Sequence, residues 1–374
     1  MKETLVEYFI SLITIDSESK DEKAIAMKIA DDLKSLGAEI SFDNANEKIG
    51  SNVGNLYAYL SGDINKEPIL FCTHLDTVVP GKGIKPIVKD DRIITDGTTI
   101  LGADDKSGIA EVIWAVKQIK SANEKHAPIE LLFTISEEIG LLGAKNIDHS
   151  KLKSKFGYAL DSHEVGQLTI GAPSQNSMKF TIHGKESHAG GEPELGISAI
   201  QIAADAISKM KLGRIDDETT CNVGIIKGGT ATNIIPKEVF IKAEARSHDP
   251  IKLQNTTDNI KNAFIKSVQK FKLADFRARV DSDIKLEYSS FKLDKNDKCV
   301  QLAEKASEKL GLTTNTVIGG GGSDANILNA QGLKIAIAGT GMNSVHTVNE
   351  YIKLKDLENG YLWVTEVIRE YSKV

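Results

Sequence analysis

Ile129-Glu130-Leu131-Leu132-Phe133-Thr134-Ile135, followed at once by Ser136-Glu137-Glu138-Ile139-Gly140, decides how the rest of this chain is read. A short, almost wholly apolar run bounded by turn residues marks a strand buried on both faces, as in parallel sheets covered by helices. Upstream, Ile109, Val112, Ile113, Val116 and Ile119 recur at helical spacing, and residues 55–60 and 69–73 read as strands. Downstream, residues 140–146 look like a helix start, and Tyr158 to Asp161 end another short strand. Residues 2–14 and 22–36 read as amphipathic helices, with Gly37 where a helix-ending glycine is expected. The alternation predicts an α/β fold with a mainly parallel sheet flanked by helices.

The pattern changes after about residue 175. Residues 176–183, 219–226, 239–246 and 275–286 alternate as half-exposed strands do, and 197–210 and 250–271 carry helical patterns. Two helices against roughly four alternating strands predict an α+β insert with one open sheet face. Residues 300–310, 333–338 and 354–371 return to the first grammar of helix, glycine-rich turn and apolar strand. The predicted organisation is a discontinuous domain of residues 1–174 and 290–374, interrupted by an inserted domain of residues 175–289.

Composition removes several classes. The 374 residues exceed one ordinary core, and 41% hydrophobic with 26% charged residues describes a soluble globular chain. The net charge is −6 and no block of Lys and Arg stands out, so neither nucleic acid nor an anionic membrane is an expected partner. Cys72, Cys221 and Cys299 have no CxxC spacing, which argues against a disulfide framework and a Cys-type zinc site and fits a reducing cytoplasm. No secretory leader and no membrane span of about 18 apolar residues are read, and a cytoplasmic location is expected.

Six short segments carry His or acidic residues where strands should end. In Phe71-Cys72-Thr73-His74-Leu75-Asp76-Thr77, His-x-Asp on extended backbone points both side chains the same way, so the Asp can fix the tautomer of a metal-bound imidazole. Gly102-Ala103-Asp104-Asp105-Lys106-Ser107-Gly108 precedes a helix and alone also has the look of a capped helix start. Glu137 and Glu138 directly follow the buried strand, where adjacent acids are costly unless something positive receives them. One can bind metal while its neighbour works as general base. Asp161 ends a fourth segment, His346 lies in Asn343-Ser344-Val345-His346-Thr347-Val348-Asn349-Glu350, and Gly319–Gly322 lead into Ser323-Asp324. Together His74, Asp104, Glu138, Asp161 and His346 form an oxygen/nitrogen set suited to catalytic zinc, and also to manganese or cobalt.

These segments resemble the dizinc exopeptidases that include peptidase T, glutamate carboxypeptidase and succinyl-diaminopimelate desuccinylase. The family pattern is His-x-Asp, Gly-x-x-Asp-x-Lys-x-Gly, Glu-Glu, a strand-end acid and a late His, and every element is present in order from His74 to His346. The fourth metal acid, Asp161, and the tail His346-Thr-Val-Asn-Glu350 are most similar to the peptidase T type. The resemblance implies two zinc ions, one on His74 and Asp161, the other on Glu138 and His346, bridged by Asp104 with a cis peptide to Asp105. It implies that Asp76 orients His74 and that Glu137 is the general base. It also implies that the insert is a lid or dimerisation domain whose His188, in Gly184-Lys-Glu-Ser-His188-Ala-Gly190, reaches an active site, often the partner subunit's. Asn233, Arg246 and Gly322 correspond to substrate-binding positions, and the insert allows a homodimer. From their residue types alone, His188 and Arg246 read as surface side chains.

The activity this implies is amide hydrolysis on short peptides, releasing the N-terminal residue as tripeptide aminopeptidases do. His188 and one metal would stabilise the oxyanion while Glu137 shuttles the proton. One departure is Gly320, where peptidase T carries Arg in its late glycine-rich loop. It leaves a carboxypeptidase, a dipeptidase or an N-acyl-amino-acid deacylase as the rival enzyme, and a catalytically silent metal-binding protein as the rival from another class.

Overall fold

The computed structural model describes residues 3–373 and divides into two compact units. One comprises residues 3–171, 292–319 and 323–373, the other residues 172–291 and 320–322.

The first unit is built on a nine-stranded sheet. From one edge its order is Glu39–Phe42, Leu56–Leu60, Ile129–Thr134, Ile69–His74, Phe156–Ser162, Lys334–Gly339, Gln167–Ala172 and Phe291–Lys292, with Asn315–Ile318 pairing parallel to Gln167–Ala172. The four central strands are mutually parallel. Ile129–Thr134 and Ile69–His74 are buried at every position, which is why their sequences run apolar rather than alternate. Helix Ala103–Ser121 lies on this sheet and is buried continuously from Ala103 to Val116. It starts six residues before the apolar periodicity suggests, and its first turn is kinked at Asp104 and Asp105, which hold non-helical backbone. The helix expected over 140–146 is a single turn, Leu142–Lys145. The fold is mixed α/β with a large sheet containing parallel strands, as expected.

The second unit holds a five-stranded antiparallel sheet in the order Gly213–Asp216, Thr219–Gly228, Glu238–Ser247, Ser174–His183 and Arg279–Tyr288. Helices Ala199–Ile207 and Pro250–Val268 contribute Ile202, Ala203, Leu253, Ile260 and Phe264 to the core on one face. Ser174–His183 alternates strictly between buried and more exposed residues, as a sheet with one wet face requires. Among the described residues no helix is long and apolar enough to cross a membrane. Cys72, Cys221 and Cys299 are free and buried.

Candidate metal centre

Parallel strands have their carboxyl ends on one edge, and in open α/β sheets ligands bind beyond that edge. His74 ends Ile69–His74, and Thr134 stands opposite it in register, so Glu137 and Glu138 follow just past the same edge. Asp161 is near the end of Phe156–Ser162, and the chain beyond Lys334–Gly339 brings in His346. Asp104 enters from the first turn of Ala103–Ser121, and the Asp104–Asp105 peptide bond is cis.

Metal-ligating atoms of His74, Asp104 and Glu138 lie within 4.8 Å of one another. His74 Nε2 is 3.0 Å from Asp104 Oδ1. On the other side, His346 Nε2 is 3.3 Å from Asp104 Oδ2 and 3.0 Å from Glu138 Oε2. Asp104 therefore offers one oxygen to each imidazole, the geometry a bridging carboxylate needs. The side chains of Asp104 and Glu138 are 10% and 6% exposed and that of His346 is 53% exposed, so the cluster opens to solvent on the His346 side.

The charges of the cluster are unbalanced. Burial pushes the carboxyl groups of Glu137 and Asp161 well above the ordinary carboxylate range. Negative neighbours add to this, Asp161, Asp324 and Glu138 for the first, Asp104 and Glu138 for the second. Burial opposes charge on His74, but hydrogen bonds to Asp104 and Asp76 and the charge of Glu137 hold its imidazolium well above the usual range. Contacts to Asp104 and Glu138 push His346 up to about 10. Two like charges 4 Å apart cost about 4 kcal/mol at an effective dielectric of about 20. The acidic, imidazole-bearing donor set fits a pair of divalent ions, which would relieve that repulsion.

The surroundings hold this set in place. His74 Nδ1 meets the Asp76 backbone carbonyl at 2.9 Å, closer than the Asp76 carboxylate at 3.5 Å. That contact leaves Nε2 for Asp104 or a metal. The Asp76 carboxylate instead accepts the backbone N–H groups of Glu137 at 2.9 Å and Glu138 at 3.2 Å, and the Ser19 hydroxyl at 2.6 Å. Buried Glu22 accepts both the N–H and the hydroxyl of Ser136 at 2.9 Å. Ser136 and His346 are left-handed, at φ 53° and 61°. Such strain persists only where the surroundings over-determine it. Asp105 accepts the His74 N–H at 3.1 Å, and buried Asp324 accepts the Thr134 hydroxyl. Sequence reasoning misses Glu22 and reaches Asp324 only as the residue that follows the Gly319–Gly322 loop. Glu22 reads as an ordinary acid at a helix start, and Asp324 as part of a loop flexible enough to approach a ligand closely.

The other expected site residues lie in the second unit. His188 is exposed, and its Nδ1 accepts the N–H groups of Gly190 at 3.1 Å and Gly191 at 2.9 Å. Its segment pairs with Asn233 and Ile234. Arg246 is gripped by Glu244 through Nε at 3.1 Å and Nη2 at 3.2 Å. A Cβ at Gly321 would lie 4.0 Å from Arg246 Nη1, and one at Gly322 would strike the Tyr288 ring at 2.2 Å, so only glycine fits there. His188 and Arg246 are far apart within this unit. His188 pairs with Ile234, beyond the Glu238 end of Glu238–Ser247, and Arg246 lies near the other end, eight residues or roughly 26 Å along the strand from Glu238.

Residues 70–370 match the model of peptidase family M20/M25/M40. Aminopeptidase PepT from Bacillus cereus ATCC 10987 is 41% identical with a TM-score of 0.89, covering 99% of this chain and 98% of its own. A tripeptidase from Staphylococcus aureus subsp. aureus Mu50 is 38% identical with a TM-score of 0.93, covering 98% and 97%. Peptidase T from Clostridium perfringens strain 13 is 26% identical over 98% of both chains.

Proposed function

This chain belongs to peptidase family M20/M25/M40, and from that premise we propose that it is a two-metal exopeptidase releasing the N-terminal residue of short peptides, tripeptides foremost. The observation that carries the reading is Asp104 facing His74 with one oxygen and His346 with the other, beside an adjacent Glu137-Glu138 pair. In this reading His74 and Asp161 would hold one ion, Glu138 and His346 the other, and Asp104 would contribute to both. Zinc suits the donors, with cobalt and manganese as alternatives. When bound, the pair supplies Lewis acidity and lowers the pKa of water toward neutrality.

The chain's own groups do the rest. Glu137, whose neighbour Glu138 meets His346, takes the proton of the attacking water and delivers it to the leaving amine. Burial keeps its carboxyl receptive to that proton. Two glycine N–H groups occupy Nδ1 of His188, so the neutral ring carries its proton on Nε2 and can donate to the developing oxyanion. Arg246, Asn233 and the Gly322 turn bind the substrate's carboxylate or carbonyl, with Glu244 fixing the Arg246 fork.

A tripeptide extends at most about 11 Å. That is less than the roughly 26 Å of strand from Glu238, past whose end His188 pairs, to Arg246. The two serve one substrate only if different copies supply them, which supports a homodimer through the insert. Free buried thiols fit a cytoplasmic setting.

Gly320 offers no guanidinium to a peptide carboxylate, which favours as the rival a carboxypeptidase, dipeptidase or deacylase. The test is zinc-loaded protein with tripeptides, dipeptides and N-acetyl amino acids, each peptide end blocked in turn. Cleavage that survives a blocked carboxyl end and stops at a blocked amino end supports the aminopeptidase. The opposite pattern selects the rival.

A further inference from the structure

Glu350 is 1% exposed, and its carboxylate terminates three backbone N–H groups of one loop. Oε2 accepts from Leu101 at 2.7 Å and Gly102 at 2.8 Å, and Oε1 accepts from Asp104 at 3.0 Å. The first N–H groups of a helix have no intrahelical acceptor. Here Asp104 departs from helical backbone, so its loop is held by whatever receives those donors. A carboxylate receives them in bonds roughly twice as strong as neutral ones.

Glu350 lies four residues beyond His346, and its own N–H bonds back to the Thr347 carbonyl at 3.1 Å. One short segment thus does two things. It presents the His346 ring to Asp104 and Glu138, and it grips the backbone that carries Asp104. We propose that Glu350 is a positioning residue of the metal centre, fixing the Asp104 carboxylate against His346 so that both reach the same ion. The proposal rests on the metal-centre reading above. Glu350 is not among the five ligands and has no role in the proton shuttle.

The test is zinc affinity, by competition with a chromophoric chelator, for wild-type protein, Glu350→Gln and Glu350→Asp, with thermal melting of each metal-free chain. Gln keeps one acceptor oxygen, and Asp keeps the charge but shortens the reach. The expected result is two zinc ions per wild-type chain and zinc affinity roughly 10- to 100-fold weaker in both variants, the range for lost outer-shell support. The metal-free melting temperature should be unchanged in at least one of them. Turnover at limiting zinc should fall and return with excess zinc, at unchanged KM. Wild-type affinity in both variants would overturn the proposal, as would weaker binding only in step with a lowered metal-free melting temperature. Wild-type protein that binds no zinc would instead overturn the metal-centre reading itself, a result distinct from two variants that bind normally.

Discussion

At the scale of the residue, Glu137 and Glu138 show how adjacent, chemically identical side chains come to differ. Glu138 faces His346, while Glu137 sits among Asp161, Asp324 and Glu138 with its carboxyl held high by burial. Glu137→Ala should keep both metals by elemental analysis and lose turnover by about 10²- to 10⁴-fold, the usual worth of a general base. Near-normal turnover would remove it from that role. His188→Ala should also keep its metals and cost about 10²- to 10³-fold in kcat, as for the loss of one oxyanion donor. An unchanged kcat would return His188 to the surface. The acids and imidazoles of the cluster could be found in sequence because His74, Glu137, Glu138 and Asp161 each follow an apolar strand. Glu22 could not, because Ser136, the residue it holds, is 114 positions away and no local pattern links them. The same is true of the Asp76 carboxylate. His-x-Asp foretold a contact to the ring, yet the nearer partner is the backbone carbonyl and the carboxylate serves Glu137 and Glu138.

At the scale of the element, the closeness of helix Ala103–Ser121 to strand Phe156–Ser162 sets Asp104 beside Asp161. Gly108 makes that approach possible. A Cβ there would fall 2.6 Å from the Leu160 carbonyl oxygen and 2.7 Å from Asp105 Oδ1. Gly108→Ala should destabilise the protein by about 1–3 kcal/mol through overpacking and weaken metal binding as the helix lifts from the strand. Chemical denaturation and zinc titration read these two effects, and an unperturbed variant would show the contact to be slack. The buried strands and the insert's alternating strands were legible from period alone. The strands Glu39–Phe42 and Gln167–Ala172 were not picked out, and Ala103–Ser121 was read short because its first turn is polar and bent.

At the scale of the whole molecule, both ends of the chain build one sheet unit around the His74–Asp104–Glu138 cluster, and a separate antiparallel unit carries His188 and Arg246. If His188 serves a neighbouring copy's site, His188→Ala and Glu137→Ala chains should each be strongly impaired alone and recover activity when refolded together. No recovery from a mixture proven to exchange subunits would place His188 in its own chain's site. Everything else depends on the cluster holding two ions with Asp104 between them. The most direct test is zinc content per chain after exhaustive dialysis, for wild-type protein and Asp104→Ala. The account predicts two ions in the first and a clear loss in the second. Fewer than two in a fully zinc-exposed wild-type chain, or full occupancy without Asp104, would contradict it.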